Sequence, residues 1–149
     1  MTVKQTLHIK SLEVVESQIA TILNVIKGIQ EALLSETKSS AGDKHETGRA
    51  MLQLEREKAG NQLANTENLK HVLYKIDASS HSKIIGLGSV VFTSQNHYFI
   101  AISIGKLTTE TNNFYAISPT TPIGKLLMGK TEGDIIVFNN QKIEIDQVL

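Results

Sequence analysis

Two acidic residues three positions apart, Asp43 and Glu46, form the arrangement in this sequence that is most open to a chemical role. They lie in the short polar stretch Gly42-Asp43-Lys44-His45-Glu46. The structural interpretation makes Asp43 a helix N-cap and Glu46 the second member of an Asp-type capping box, because carboxylates stabilise a helix N-terminus. The functional interpretation is a cation site, since Mg²⁺ is often held by one or two protein carboxylates plus water or phosphate oxygens. From these residues alone, the cap is the simpler interpretation.

A second stretch matches a nucleotide-binding motif by its spacing. Residues 124–131, GKLLMGKT, satisfy the P-loop pattern G-x-x-x-x-G-K-[ST]. A true P-loop follows a strand and opens a helix, so that backbone amides face phosphate. Here the residues between the glycines are predicted to form the helix itself, and a strand follows. We therefore interpret the match as a helix end, and Gly86-x-Gly88 as a bulge or bend in place of a phosphate cradle.

The composition excludes several classes of protein. The 149 residues include no cysteine and carry no formal net charge, so disulfides and thiolate chemistry are absent. Charge balance argues against binding nucleic acid through the protein's own field. The five histidines share no metal-ligand spacing. No apolar run approaches the ~20 residues of a membrane span, and no secretory signal opens the chain, so we expect a soluble cytoplasmic protein without a membrane partner.

Apolar residues in the first half repeat at steps of three and four, which predicts a helix packed along another helix. This seam comprises Leu12, Val15, Ile19, Ile22, Ile26, Ile29 and Leu33. Ser11 is the predicted N-cap, and residues 39–42 give turn chemistry. A second helix is predicted over about residues 46–75, with Glu55 and Gln62 at seam positions between its apolar residues. We expect an antiparallel helical hairpin, a coiled coil, over residues 1–77.

After Asp77 the apolar period changes to two, which predicts strands at residues 84–93, 97–104, 114–117, 134–138 and 142–148. Asn139-Asn140 is the predicted turn between the last two strands. One short helix is predicted between the strands, with Thr121 as N-cap, Pro122 first and Gly129 as its stop. The fold class is therefore α+β, with a small antiparallel sheet and one short helix in a domain of residues 78–149.

Residues 117–134, ISPTTPIGKLLMGKTEGD, resemble the signature I-S-x-x-S-P-I-x-x-x-L-x-G-K-x-x-G-D of the Gre family of bacterial transcript-cleavage factors. Thr121 stands where that family usually has Ser. Residues 88–91, GSVV, are similar to the family's first strand, and residues 42–46, GDKHE, to its tip motif G-D-L-x-E-N. Residues 72–77 are similar to the close of its coiled coil. The resemblance covers most of residues 11–149.

The resemblance implies an accessory factor of bacterial RNA polymerase and not an enzyme in its own right. Its C-terminal domain would have a fold like that of FK506-binding proteins and dock at the rim of the polymerase's secondary channel. Residues carried over as polymerase-binding are Ser118, Pro119, Pro122, Ile123 and Lys125. The coiled coil would enter the channel, and the polymerase would then cleave backtracked RNA.

The resemblance also assigns roles at the tip. Asp43 and Glu46 would act as the catalytic carboxylates and help to hold a Mg²⁺ ion shared only within the polymerase complex, with no cofactor bound stably by the chain alone. Arg49 and Arg56 are candidates to contact the phosphates of nascent RNA, although no family motif fixes them. No nucleic-acid binding is expected outside the complex.

The chain departs from the family immediately after Glu46, where N-A-E-Y becomes Thr-Gly-Arg-Ala at residues 47–50. This change keeps a second hypothesis open, a channel regulator that does not promote cleavage. A third is a prolyl isomerase or chaperone, suggested by the expected fold. Its pocket would need aromatic residues, and the domain offers Phe92, Tyr98, Phe99, Phe114, Tyr115 and Phe138.

Overall fold

A computed structural model describes residues 1–38 and 43–149, and within the helices it leaves the side chains of residues 37, 38 and 43–45 undescribed. Its elements in chain order are α1 (Val3–Lys38), α2 (Asp43–Tyr74), β1 (Val90–Thr93), β2 (His97–Ile100), β3 (Gly105–Thr108), β4 (Asn113–Ile117), α3 (Pro122–Leu127), β5 (Ile135–Phe138) and β6 (Gln141–Val148). They form two compact units. Val15–Lys70 is called here the helical pair, and Met1–Val14 with His71–Leu149 is called the sheet unit.

Helix α1 begins well before the predicted N-cap. Thr2 and Gln5 form a capping box, in which the Gln5 amide donates to Thr2 Oγ1 at 3.1 Å and the Thr2 amide donates to Gln5 Oε1 at 3.0 Å. The prediction of Ser11 as N-cap is therefore wrong. Ser11 is buried inside the helix, where its hydroxyl donates to the Leu7 carbonyl at 2.8 Å.

The two helices of the helical pair run antiparallel, as predicted. At one end Lys70 Nζ lies 3.8 Å from Glu16 Oε1, and at the other end Glu36 lies against Gly48, so the partner residue number falls as the α1 number rises. Between these ends Ile22, Ile26, Ile29 and Ala59 are buried together, with Leu33, Leu52 and Leu63 packed against them. All seven predicted seam residues of α1 are buried or half-buried, which confirms the three-and-four spacing there.

The predicted seam of α2 is wrong at two positions. Glu55 and Gln62 are exposed, whereas Arg56 and Leu63, one residue further along, are half-buried. The observed spacing is still a heptad, shifted by one residue at these two steps. This shift brings the apolar side chain of Leu63 into the interface and leaves the acid at position 55 in solvent.

The six strands form one mixed sheet in the order β3-β4-β2-β1-β6-β5. β2 and β4 pair in parallel, so the prediction of an antiparallel sheet is wrong for that pair. β3 was missed, and it occupies a sheet edge beside β4. The predicted first strand is shorter than expected, because the chain turns at Gly86–Ser89 and Gly88 has a φ of +91°. The last hairpin turns at Asn139 and Asn140, both with positive φ, as predicted.

One face of the sheet packs against α3. Ile123 and Leu127 of that helix join a cluster of buried side chains that includes Ile85, Val91, Tyr98, Ile100, Ile136, Ile143, Ile145 and Val148. The opposite face carries the contacting rings of Phe92, His97 and Phe114. In the residues that the structure describes, no helix is both long and apolar enough to cross a membrane.

Candidate functional site

Helix α2 begins at Asp43, and Glu46 stands in its first turn with an exposed side chain. The side chain of Asp43 lies outside the described residues, as does the predicted turn at residues 39–42. The capping box and the proximity of the two carboxylates therefore stay predictions. Glu46 itself offers a carboxylate to solvent at the start of a long helix, which suits a hard cation or a cationic partner.

The two arginines after Glu46 differ in their surroundings. Arg49 is exposed, whereas Arg56 is half-buried. The Arg56 guanidinium lies over Gly60, with Nη1 2.9 Å from the position that a Cβ atom on Gly60 would occupy. Because Gly60 is one turn further along α2, this guanidinium is directed away from Glu46. Of the two candidates for RNA contact, Arg49 is the one nearer to the start of the helix.

The loop before α3 is built by side-chain hydrogen bonds. Thr121 Oγ1 accepts from the Gly124 amide at 3.1 Å and donates to the Ser118 carbonyl at 2.8 Å, which makes Thr121 the N-cap, as predicted. Ser118 Oγ accepts from the Thr120 amide at 3.2 Å, and the Ser118 amide donates to Ser103 Oγ at 2.9 Å. The Ser-x-x-Thr-Pro pattern is thereby explained as a local folding signal.

Gly124 has a steric role in the same loop. A Cβ atom at this position would overlap the Ser118 carbonyl oxygen and would come within 2.7 Å of Thr121 Oγ1. The absence of a side chain allows α3 to pack closely on the loop that precedes it.

The residues carried over as polymerase-binding differ in their exposure to solvent. Pro122 and Lys125 are exposed, Ser118 and Pro119 are half-buried, and Ile123 is buried in the core beneath α3. Ile123 therefore packs α3 against the sheet. The surface available to a partner at this helix is formed by its exposed side chains, including Pro122 and Lys125.

The P-loop spacing has the structure of a helix end. α3 covers residues up to Leu127, Gly129 follows with a φ of +80°, and strand β5 comes next. The interpretation of this stretch as a helix end is confirmed, because it runs from α3 through a turn toward β5 and not from a strand into a helix. Across the described residues, no three histidine or acidic side chains come together as a metal-binding group.

A buried lysine was missed by the sequence reasoning. Lys4 is only 7% exposed, and its Nζ donates to the Ser80 carbonyl at 2.9 Å beside a cavity of about 340 Å³. Burial lowers the pKa of Lys4, and the Asp77 carboxylate partly opposes that shift. The signal was the Thr-x-x-Gln pattern at residues 2–5, which starts the helix early enough to place Lys4 on the buried face of Leu7 and Ser11.

Asp77, which follows α2, is held by a local turn. Its Oδ1 accepts from Ser79 Oγ at 2.5 Å and from the Ser79 amide at 2.9 Å. The hydroxyl bond, then the amide bond, lowers the pKa of the Asp77 carboxyl, and burial acts in the opposite direction.

No family model matches the chain, and no curated protein matches it either.

Proposed function

We propose that the chain is a Gre-like elongation factor that enters the secondary channel of bacterial RNA polymerase in the cytoplasm and stimulates cleavage of backtracked RNA. One observation carries the proposal. An antiparallel helical pair with a continuous apolar seam has an exposed acid, Glu46, in the first turn of its second helix.

The dimensions of the helical pair support insertion into a channel. Residues 15–38 of α1 rise about 35 Å at ~1.5 Å per residue. A pair of helices presents a narrow section to a partner, because each helix is only about 10–12 Å across with its side chains. The buried seam between the helices holds such a pair together.

Glu46 would present an oxygen ligand to the partner's active site. A hard cation with one or two carboxylate ligands suits this residue, and Asp43 is the second carboxylate of the proposal. When bound in the complex, Mg²⁺ supplies the activation of water for phosphodiester hydrolysis. The chain's own residues position that charge, and Arg49 is proposed to steer the RNA phosphates.

A cleavage assay tests the proposal with purified polymerase halted on backtracked RNA. The wild-type chain is expected to accelerate release of the 3′ RNA fragment, and Asp43→Ala with Glu46→Ala to abolish the acceleration. Glu57→Ala is the matched control, since Glu57 is an exposed acid further along the same helix. Equal cleavage with and without the wild-type chain would show that the proposal is wrong.

A second candidate, a channel regulator without cleavage activity, is favoured by the first turns of α2. Gly48, which lies against the half-buried Glu36 of α1, stands where the Gre pattern has alanine. Arg49 and Ala50 stand where that pattern has an acidic and an aromatic residue. A regulator of this kind would inhibit initiation or elongation, and the inhibition would survive the Asp43→Ala and Glu46→Ala changes.

For the sheet unit we propose a fold like that of FK506-binding proteins, supported by a short helix packed on one face of a six-stranded sheet. An isomerase function is less well supported. Phe99 and Phe114 are fully buried, Tyr98 is nearly so, and Phe92 and Phe138 are half-buried, so packing accounts for five of the six aromatic residues. A standard proline-isomerisation assay separates this candidate from the others.

A further inference from the structure

The two edges of the sheet differ in how they are protected from pairing with another strand. β3 and β5 are the edge strands, and each pairs with one neighbour, β4 and β6 respectively. β3 carries the exposed Lys106 and begins at Gly105 with a φ of +86°. A lysine on an edge strand opposes further pairing, because its charge is difficult to cover. β5 has the sequence Ile-Ile-Val-Phe, with no charged residue and no proline, so it lacks this protection.

Apolar side chains are exposed on β5 itself and not on the strand beside it. Ile135 is 59% exposed and Val137 is 57% exposed, and alternate residues of a strand project from the same face. Their register partners on β6 are Glu144 and Lys142, which are also exposed. In this part of the sheet the exposed apolar surface is therefore confined to the edge strand. An occupant that covers it must lie alongside β5, because the neighbouring surface is charged.

The backbone groups of the same two residues face away from β6. The Ile145 amide of β6 donates to the Asp134 carbonyl at 2.9 Å, so Asp134 directs its carbonyl towards β6. The hydrogen-bonding direction alternates along an antiparallel strand. The even-numbered residues of β5 therefore bond to β6, whereas Ile135 and Val137 direct their N–H and C=O groups outward. Among the described residues, no backbone hydrogen bond outside the strand ladders involves these outward groups.

We propose that β5 pairs antiparallel with β5 of a second copy of this chain and so forms a symmetric dimer. In this alignment the edge strand is complementary to itself. Ile135 of each copy lies opposite Val137 of the other, and their outward backbone groups form about four hydrogen bonds across the two pairs. The exposed apolar side chains of the two copies cover one another, and no charged residue of β5 faces another.

A second copy fits this edge better than a flexible segment of another protein. The edge needs an extended partner with apolar side chains at alternate positions, and β5 is already ordered in that form, so pairing does not have to order a loose chain. The contact uses the same surface on both copies, which closes the assembly at two. The opposite edge does not extend the sheet, because β3 carries Lys106. Since the edge is short, the dimer is expected to be weak and to depend on protein concentration.

Sedimentation equilibrium of the full chain tests this proposal. Between about 10 μM and about 1 mM, a concentration-dependent mixture of monomer and dimer is expected. Ile135→Lys with Val137→Lys brings lysines of the two copies opposite each other and should weaken the dimer about tenfold or more. Ile84→Lys with Leu87→Lys is the matched control, since both are exposed apolar residues outside the strands. The control should leave the dimerisation constant within about twofold of the wild type.

Two further measurements distinguish strand pairing from a contact between side chains. Val137→Pro removes an outward amide but no bond to β6, so it should abolish the dimer and keep the fold. Hydrogen exchange of the wild-type chain, followed by NMR, should show the amides of Ile135 and Val137 gaining protection as the protein concentration rises. The amide of Ile136, which bonds to β6 in either state, should stay protected throughout.

Each outcome decides for or against the second copy. A chain that stays monomeric at every concentration, or a dimer that neither the lysine pair nor Val137→Pro weakens, would show that the pairing of β5 is wrong. If the amides of Ile135 and Val137 become protected only when purified RNA polymerase is added, the edge binds an extended segment of that partner and the second copy is wrong. These experiments do not depend on RNA cleavage, so this inference and the proposed function can fail separately. Circular dichroism of each variant confirms that its fold is retained.

Discussion

The Glu36 carboxylate of α1 lies 3.7 Å from the position that a Cβ atom on Gly48 of α2 would occupy. That separation is an ordinary van der Waals contact, so an alanine fits at position 48 without moving the opposite helix. The glycine is therefore not required by the packing of the pair, although it lies within the part of α2 on which the proposed function depends.

Gly48→Ala is expected to raise the free energy of unfolding by about 0.5–1 kcal/mol, because glycine in a helix interior costs that much relative to alanine. Urea denaturation followed by circular dichroism measures the change. Gly28→Ala is the control, since a Cβ at this helical position meets nothing within 4 Å. A loss of stability in Gly48→Ala beside a gain in Gly28→Ala would contradict the contact described for Glu36.

Gly124→Ala is expected to lower the free energy of unfolding by about 1–3 kcal/mol, since the added methyl group overlaps the Ser118 carbonyl oxygen. The same denaturation experiment applies. Lys125→Ala, at the exposed neighbouring position, should stay within about 0.5 kcal/mol of the wild type. Equal effects of the two changes would mean that the loop before α3 relaxes freely around a side chain.

Thr121→Val is expected to cost about 1 kcal/mol, because valine keeps the shape of threonine but cannot accept from the Gly124 amide. Thr121→Ser keeps the oxygen and should stay within about 0.5 kcal/mol of the wild type. Thermal unfolding of the two variants gives the comparison. A serine variant as unstable as the valine variant would show that the methyl group, and not the cap, holds α3.

Ser79→Ala is expected to destabilise the chain at neutral pH by removing the hydroxyl bond that lowers the pKa of Asp77. A lowered folded-state pKa contributes stability above the unfolded value of about 3.9, and this stability is lost as the pH falls through the folded value. The difference in melting temperature between variant and wild type should therefore shrink below about pH 4. A difference that stays constant with pH would refute this role of Ser79.

The apolar seam of α1 was predictable because the spacing of its residues is a local property that any helical partner must satisfy. The α2 seam was less predictable from the sequence. Glu55 and Gln62 complete a regular heptad in the sequence, but both are exposed in the structure. Burying Leu63 instead removes apolar surface from water. Arg56 can likewise cover apolar surface with the aliphatic part of its side chain. The choice between adjacent positions depends on the opposite helix.

The sheet was predictable in its strands and turns more than in its pairing. Positive φ at Asn139 and Asn140 follows from local turn chemistry, and the helix Pro122–Leu127 follows from its cap. The parallel pairing of β2 with β4 does not follow from local turn chemistry. It arises because the chain first forms β3 at the sheet edge and then returns as β4, between β3 and β2. β3 was missed because Gly105–Thr108 contains a single buried apolar residue, Leu107.

The candidate site was predictable in part. Exposure of Glu46 and the cap at Thr121 follow from their places at helix starts. Burial of Ile123 was not anticipated, since a motif in the sequence does not tell which of its residues support the fold. Burial of Lys4 depends on contact with the turn after α2, at residues distant in sequence.

Site-specific photo-crosslinking tests whether the start of α2 reaches the catalytic centre of the polymerase. A photoreactive residue replaces Ala50, which is exposed in the first turns of α2, and the full chain is mixed with polymerase halted on backtracked RNA. We expect crosslinks to the extruded 3′ end of the RNA or to the polymerase segments around its catalytic centre. The same photoreactive residue at Glu67 should give no crosslinks to RNA. Crosslinks from Ala50 only to the outer surface of the polymerase, or RNA crosslinks of equal yield from both positions, would contradict this expectation.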